Sequence, residues 1–252
     1  MKRKKITIVI PAYNEEAIIK NTIETALSFL EGAFQDYELI IANDGSTDGT
    51  RQVVEEYNNQ HLRCISHMPN KGKGCAVREG IISADGDIIV YTDADLAYGI
   101  EIIADFVKAI EDGDTDIAIG SRKLHPEGYS DYPAIRLIAS RCFSFFTGLL
   151  AGFRYDTQCG LKAFSASAAK EIFLRCKTDG FAFDFEVMMI ADRLSLKVTQ
   201  LPVKIENHRN SKVKVLRDSM RMFEDIINIR KRLNVVSKGK YCDQEKNKLS
   251  EQ

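Results

Sequence analysis

Two carboxylates flank one small residue in Thr92-Asp93-Ala94-Asp95, which follows the apolar run Ile88-Ile89-Val90-Tyr91. If the strand runs on through them, alternation turns both carboxylates to the same face. Side-by-side carboxylates repel and raise each other's pKa unless a cation lies between them. A hard divalent ion, Mg²⁺ or Mn²⁺, relieves that repulsion through oxygen ligands and keeps positions open for phosphate oxygens. A solvated acidic loop is the plainer alternative; the place at a strand's carboxyl end weighs against it.

Three more loops carry polar chemistry. Asn43-Asp44-Gly45-Ser46-Thr47-Asp48-Gly49-Thr50 reads as strand, turn and helix start. Gly45 permits the turn and Thr47 or Asp48 can cap the helix. Asp44 has no such local role, and its carboxylate could accept from a nucleobase N–H. Pro11-Ala12-Tyr13-Asn14-Glu15-Glu16 offers an aromatic face for a base and a carboxylate for a ribose or base. Asn70-Lys71-Gly72-Lys73-Gly74 opens a helix with two lysines and two glycines, suited to admitting an anion to backbone N–H groups. Neither the GxxxxGK[ST] loop nor the GxGxxG dinucleotide fingerprint occurs at these positions. That weighs against a P-loop NTPase and against a nicotinamide dehydrogenase.

The elements that must position these loops alternate. β-Branched runs at Ile6–Ile10, Glu38–Ala42, Leu62–Ser66, Asp87–Thr92 and Asp116–Ser121 predict strands. Helical spacing separates them at Ala17–Leu30, where Ile19, Ile23, Leu27 and Leu30 share a face, and at Thr50–Tyr57, Cys75–Ser83 and Ile100–Ile110. This βαβα rhythm predicts an α/β, mostly parallel, doubly wound sheet buried on both faces. Ligands of such sheets gather beyond the carboxyl ends of the strands, where the polar loops lie. Further on, helices are expected at Ala134–Gly152, Ala166–Arg175, Phe185–Leu194 and Asp218–Leu233, and strands at Gly160–Phe164 and Lys197–Ile205. Residues 1–237 read as one domain and 238–252 as a polar, frayed tail.

Composition excludes several classes. The 252 residues suffice for a core without disulfide or metal staples, at 44% apolar and 28% charged. The net charge of −1 excludes a nucleic-acid binder working by bulk charge. It conceals a split: 22 Lys/Arg against 29 Asp/Glu in residues 1–203, then 11 against 4 in residues 204–240. The six cysteines form no CxxC pair and the four histidines are dispersed. Core thiols in a reducing cytosol are therefore expected, and no zinc site. The apolar run at Ile6–Ile10 stops at Pro11, too short for a signal peptide. Cys142–Phe153, the longest uncharged apolar run, falls short of the ~20 residues a bilayer span needs. No transmembrane helix is expected. Ala134–Phe153 and Asp218–Leu233 are basic and amphipathic, so each could lie on an anionic membrane surface or pack on the core.

Taken in order, Val9-Ile10-Pro11-Ala12-Tyr13-Asn14-Glu15-Glu16, Asn43–Asp48, Asn70–Gly74 and Asp93-Ala94-Asp95 resemble the family 2 glycosyltransferases of the GT-A fold. Within them the chain is similar to the branch that loads a sugar onto a polyprenyl phosphate, the dolichyl-phosphate glucosyl- and mannosyltransferases. Asp156-Thr157-Gln158-Cys159-Gly160-Leu161-Lys162-Ala163-Phe164 matches that branch's DxxCGxKxF segment, Phe183-Asp184-Phe185-Glu186 its FDxE segment, and Asn210-Ser211-Lys212-Val213-Lys214 its SK segment. The resemblance covers about residues 5–235.

The resemblance implies a Rossmann-like central sheet flanked by helices, with C-terminal helices on the acceptor side. It implies transfer of a hexose from a nucleotide sugar, UDP favoured, to a dolichyl or undecaprenyl phosphate, with inversion. Pro11, Tyr13, Glu15 and Asp44 would hold the nucleoside. Lys73 would approach the phosphates or support its loop. Asp93 and Asp95 would hold Mg²⁺ or Mn²⁺, with Asp95 the closer ligand. His208 could add a third. Arg122 would face the pyrophosphate or the acceptor phosphate, and Asp156 would sit near the anomeric carbon. Arg209, Ser211 and Lys212 would close over the phosphates. A hydroxyl acceptor, the alternative, would need Asp156 as general base. A phosphate acceptor would not, since its second pKa of about 6 leaves it nucleophilic at neutral pH. Asp184 and Glu186 could cap a helix starting near Phe185, or serve the acceptor side. A nucleotide-binding protein without turnover is disfavoured by the intact Asp93/Asp95 pair. The expected setting is cytoplasmic, with peripheral contact to the cytoplasmic membrane face.

Overall fold

The apolar runs pair into one seven-stranded sheet in the order β3-β2-β1-β4-β6-β5-β7. The structure, a computed structural model, describes residues 4–129, 155–207 and 215–235, with side chains in the last helix from Met222 to Leu233. The strands are β1 (Ile6–Ala12), β2 (Tyr37–Asn43), β3 (Leu62–Ser66), β4 (Ile88–Tyr91), β5 (Ile117–Ser121), β6 (Lys162–Ser165) and β7 (Val198–Pro202). The described helices are α1 (Glu16–Ala33), α2 (Thr50–Glu56), α3 (Lys73–Ile82), α4 (Ile103–Glu111), α5 (Ala166–Phe173), α6 (Phe183–Arg193) and α7 (Val215–Val235).

β6 alone runs against the rest, antiparallel to both β4 and β5. The other pairings are parallel. The doubly wound sheet is therefore as expected. Successive strand residues alternate between two cores, as pleating requires. Val9, Ile40, Ile89, Tyr91, Ile117 and Phe164 pack under α3, α5, α6 and α7. Ile8, Ile10, Leu39, Ile41, Val90 and Ala163 pack under α1 and α4. The α1 stripe is Ile19, Ile23, Leu27 and Leu30, all buried.

The apolar stripe of α7 is also spoken for. Ile226, Ile229 and Leu233 are buried in the first core and Met222 packs against it. Of the two readings of this helix, core packing is the one that Ile226, Ile229 and Leu233 follow, while Phe223 stays exposed. Among the described residues no helix is long and apolar enough to cross a membrane. The helix expected at 134–152 and the tail at 238–252 lie outside the described residues. Cys64, Cys75, Cys159 and Cys176 are free thiols, mostly buried, in keeping with core cysteines.

Candidate active site

The parallel strands β1, β2, β4 and β5 end at one edge of the sheet, and antiparallel β6 begins there. Topology alone therefore gathers residues 13–16, 44–50, 92–97, 122 and 156–161 at a single rim. The first two loops are laced together. Asn14 N–H donates to Ser46 Oγ at 3.0 Å, and Thr47 N–H to Asn14 Oδ1 at 2.8 Å. Glu15 N–H donates to Thr50 Oγ1 at 2.7 Å, Glu16 N–H to Asp48 Oδ2 at 3.2 Å, and Gly49 N–H to Glu16 Oε2 at 3.0 Å. Asp48 Oδ1 also accepts from Thr50 N–H at 3.0 Å, so it serves the α2 start although Gly49 is the cap position. Pro11 is buried in β1, while Tyr13 is 42% exposed and leaves its ring accessible at the rim.

Asp44 is buried and its carboxylate is filled by protein donors. It accepts from Lys71 N–H at 2.8 Å, Gly72 N–H at 3.0 Å and Asn70 Nδ2 at 2.8 Å. His67 Nε2 lies 2.9 Å away. The side chain expected to face a nucleobase is here the peg on which the Asn70–Gly74 loop hangs. Gly45, at φ +65°, makes this possible: a Cβ there would stand 2.5 Å from Asn70 N.

Asp93 and Asp95 do not lie on a strand. β4 stops at Tyr91, and Leu96 N–H donates to Asp93 O at 3.0 Å to close a turn. The turn, not strand alternation, sets where the two carboxylates lie. Both are half-buried and both act on one ammonium, Lys73. Lys73 Nζ reaches Asp93 Oδ1 at 2.5 Å from the first turn of α3. Burial opposes its charge, but Asp93, Asp184 and Asp95 outweigh that and push its pKa up. Gly160 leaves the room Asp93 needs: a Cβ at 160 would lie 2.1 Å from Asp93 Oδ2. Two hard oxygen donors beside a glycine cradle, balanced by one lysine, suit a hard divalent cation.

Arg122 and Asp156 form a buried, bidentate pair. Nε donates to Oδ2 at 3.0 Å, Nη2 to Oδ1 at 2.8 Å, and the Arg122 N–H to Oδ2 at 3.2 Å. Burial works to raise the Asp156 pKa, but the Arg122 hydrogen bonds and charge outweigh it and hold the carboxyl below its usual range. Burial likewise opposes the Arg122 charge, and Asp156 carries it well above normal. A carboxylate so held is a weak proton acceptor.

The capping reading of Asp184 and Glu186 is corrected. α6 starts at Phe183 with Ala182 at its cap, and no side chain bonds there. Asp184 meets Lys162 Nζ and Tyr91 Oη, and Lys162 Nζ donates further to Tyr91 Oη at 2.8 Å, Cys159 O at 2.7 Å and Thr157 O at 3.0 Å. Lys162 is fully buried. It stands directly across from Tyr91 in the β4–β6 register. Glu186 accepts from Lys177 N–H at 3.0 Å and Thr178 N–H at 2.7 Å and pairs with Arg232. That fixes the 177–179 segment, whose Asp179 O accepts from Gly74 N–H at 2.7 Å. Lys162 is absent from the candidate site residues that the sequence suggests. The signal was present: a lysine in a strand that is otherwise apolar needs a buried partner.

The segment entering the basic arm also reaches the rim. Glu206 N–H donates to Ala97 O at 2.8 Å and Asn207 Nδ2 to Leu96 O at 2.9 Å, just beyond Asp95. His208, Arg209, Ser211 and Lys212 lie outside the described residues. Two clefts are outlined among the described residues, of about 430 and 210 Å³. Neither includes Asp93 or Asp95. The paired carboxylates, not cavity size, mark the candidate centre.

The profile of glycosyl transferase family 2 matches residues 7–173. The chain is 32% identical over 247 residues to a dolichyl-phosphate β-glucosyltransferase of Saccharomyces cerevisiae, covering 89% of this chain and 74% of the relative. A human dolichyl-phosphate β-glucosyltransferase is also 32% identical, with 91% and 76% covered. Among solved structures, glucosyl-3-phosphoglycerate synthase from Mycobacterium tuberculosis with UDP superimposes at a TM-score of 0.68, 20% identical, over 90% of this chain and 80% of that one. The same enzyme with Mn²⁺, UDP and phosphoglyceric acid gives 0.67 at 21% identity, over 90% and 78%. The architecture is GT-A.

Proposed function

The chain belongs to glycosyl transferase family 2 and is a glycosyltransferase, and we propose that it moves a glucosyl residue from a UDP-sugar to a polyprenyl phosphate. The observation that carries the acceptor and the sugar is the 32% identity to dolichyl-phosphate β-glucosyltransferases over nearly the whole chain. Residues 1–237 act as the catalytic unit.

In this reading the acceptor phosphate oxygen attacks the anomeric carbon. The bond from that carbon to the diphosphate breaks, the configuration inverts, and UDP leaves with the negative charge. The nucleophile is already anionic, so no general base is required. The Asp156–Arg122 pair supports this reading, because it makes Asp156 a positioning group that holds Arg122 beside the phosphates. A hydroxyl acceptor would need Asp156 to take a proton while its carboxylate is committed to a guanidinium. Asp93 and Asp95 would hold Mg²⁺ or Mn²⁺; the ion's role is to stabilise charge on the departing diphosphate. The Mn²⁺ and UDP named with the mycobacterial enzyme of this fold support that assignment.

Each remaining residue then has a task. Tyr13 stacks on the base, with Pro11 and Glu15 beside it. Asp44 holds the Asn70–Gly74 loop against the nucleotide. Lys73 screens Asp93 and presents its charge to the phosphates. Arg209, Ser211 and Lys212 close over those phosphates. The enzyme works at the cytoplasmic membrane face, where its acceptor lies.

The test is transfer of labelled glucose from UDP-glucose, with Mg²⁺ or Mn²⁺, to a short-chain polyprenyl phosphate. The expected result is label extracted into organic solvent as a glycosyl phospholipid, with GDP-mannose a poor donor. Label transferred only to soluble saccharide hydroxyls would overturn it.

A further inference from the structure

His67 stands between two carboxylates. Its Nε2 is 2.9 Å from Asp44 Oδ1 and its Nδ1 is 2.7 Å from Glu79 Oε2. A neutral imidazole has one N–H and can serve only one of them. If Nε2 donates to Asp44, the Nδ1 lone pair faces a carboxylate, and a positive centre must lie between. Cys75, one helical turn before Glu79 on α3, places its Sγ 3.5 Å from Glu79 Oε1. The imidazole, thiol and carboxylate ligand atoms all lie within 4.8 Å of one another. Two ligands on one tetrahedral zinc ion, with bonds of about 2.0–2.3 Å, lie roughly 3.3–3.8 Å apart, so the three side chains would close by up to about 1 Å around an ion.

We propose that His67 Nδ1, Cys75 Sγ and Glu79 form a second metal site, for a thiolate-binding divalent ion of the Zn²⁺ class, distinct from the Asp93/Asp95 pair. The donor set is nitrogen, sulfur and oxygen, which suits zinc and not magnesium. Its outer shell is in place: a ligating histidine commonly donates its other ring N–H to a carboxylate, and Asp44 is there to accept. Burial, with Glu79 adding to it, pushes the Cys75 thiol up to about 11, so the thiol keeps its proton until a cation reverses that balance. Binding therefore releases a proton and strengthens as pH rises. Among neighbouring charges, Lys71 lies 3.5 Å from Glu79 and opposes the ion, while Arg78 is paired with Asp179. The His67 and Glu79 side chains are partly exposed, giving the ion a way in. Cys75 and Glu79 are four apart on one face, while His67 comes from the preceding loop. Sequence spacing alone gives no metal motif here.

The test uses the full chain carrying Asp95→Asn, which weakens the hard-cation pair, and measures Zn²⁺ and Co²⁺ binding by dialysis and metal analysis. The expected result is one ion per chain, a thiolate-to-cobalt charge-transfer band, and one sulfur neighbour in the zinc X-ray absorption spectrum. Cys75→Ser and Glu79→Gln should each lose the stoichiometric ion, while Cys176→Ser keeps it. Because Glu79 is partly exposed, Glu79→Gln leaves a usable test if Cys75→Ser folds poorly. No stoichiometric ion would leave a proton alone bridging His67 and Glu79, while a nitrogen- and oxygen-only zinc shell, or binding unchanged in Glu79→Gln, would place the zinc elsewhere; each result overturns the proposal.

Discussion

Lys73 Nζ sits 2.5 Å from Asp93 Oδ1, so one carboxylate of the Asp93/Asp95 pair is neutralised by a lysine from the helix facing it. A divalent ion added there must share Asp93 with that ammonium. Lys73→Gln should therefore move half-maximal activation by Mn²⁺ to lower concentration. The same change removes a positive group from the phosphate side, and kcat/KM should fall about 10²-fold. Unchanged kcat/KM with an unchanged metal requirement would remove Lys73 from the site.

Asp95→Asn and Asp156→Asn should fail differently. Asp95 is half-buried at the rim, and its loss should lower kcat by about 10²-fold or more with the melting temperature nearly kept. Asp156 is buried against Arg122, and removing one partner of a buried pair costs about 3–5 kcal/mol because the other charge is stranded. Asp156→Asn should therefore lower the melting temperature while slowing the remaining folded enzyme less than Asp95→Asn does. Thermal melts with single-turnover rates distinguish the two, and the reverse ordering would restore Asp156 as a general base.

Acid should reveal the same pair. The Asp156 carboxyl is held below its usual value in the folded chain, and Glu38 is lowered likewise by Asp85 N–H, Thr7 and Arg63 against the effect of burial. The unfolded chain then binds more protons as pH falls. The stability from these groups is complete above the unfolded values of about 4 and is lost as pH drops through the lower folded values. Urea titrations at falling pH should show stability declining below about pH 4, with a shallower slope in Asp156→Asn.

Much of this arrangement was legible from sequence for a local reason. Runs such as Ile6–Ile10 and Leu62–Ser66 form strands wherever the rest of the chain goes, and the polar loops after them land at the sheet edge by topology alone. The misses share a cause as well. Asp184 and Glu186 satisfy the local rule for a helix start, yet their partners Lys162, Tyr91 and Arg232 come from distant elements. Asp93 and Asp95 follow β4 in a turn and do not continue the strand, because β4 ends at Tyr91. His67, Cys75 and Glu79 have no spacing that announces them. Side-chain pairing across elements is fixed by tertiary packing, and one sequence carries only half of each pair.

Tyr13 gives a test of the nucleoside end. Its ring is exposed and supports little of the fold, so Tyr13→Ala should leave the melting temperature unchanged. Losing an aromatic face under a base costs about 1–3 kcal/mol. UDP should bind roughly 10-fold more weakly by titration calorimetry, with kcat nearly constant, the signature of binding shared by ground and transition states. A loss confined to kcat would place Tyr13 nearer the sugar than the base.

The Lys162–Asp184 pair allows a sharper separation of structure from catalysis. Lys162 is fully enclosed, its ammonium bonded to Tyr91 Oη, two backbone carbonyls and Asp184. Asp184→Asn leaves that ammonium without its counter-charge and should cost about 3–5 kcal/mol in urea unfolding. Lys162→Met in the same chain removes the stranded charge, so the double variant should recover much of that loss, a coupling that only a direct pair produces. Activity need not follow stability. Asp184 also acts on Lys73, so the double variant should fold yet lower the Lys73 pKa toward normal and weaken its hold on the donor phosphates. A stable double variant with full kcat/KM would make the buried pair purely structural. One with stability restored and kcat/KM still depressed would show that the FDxE aspartate reaches the centre through Lys73.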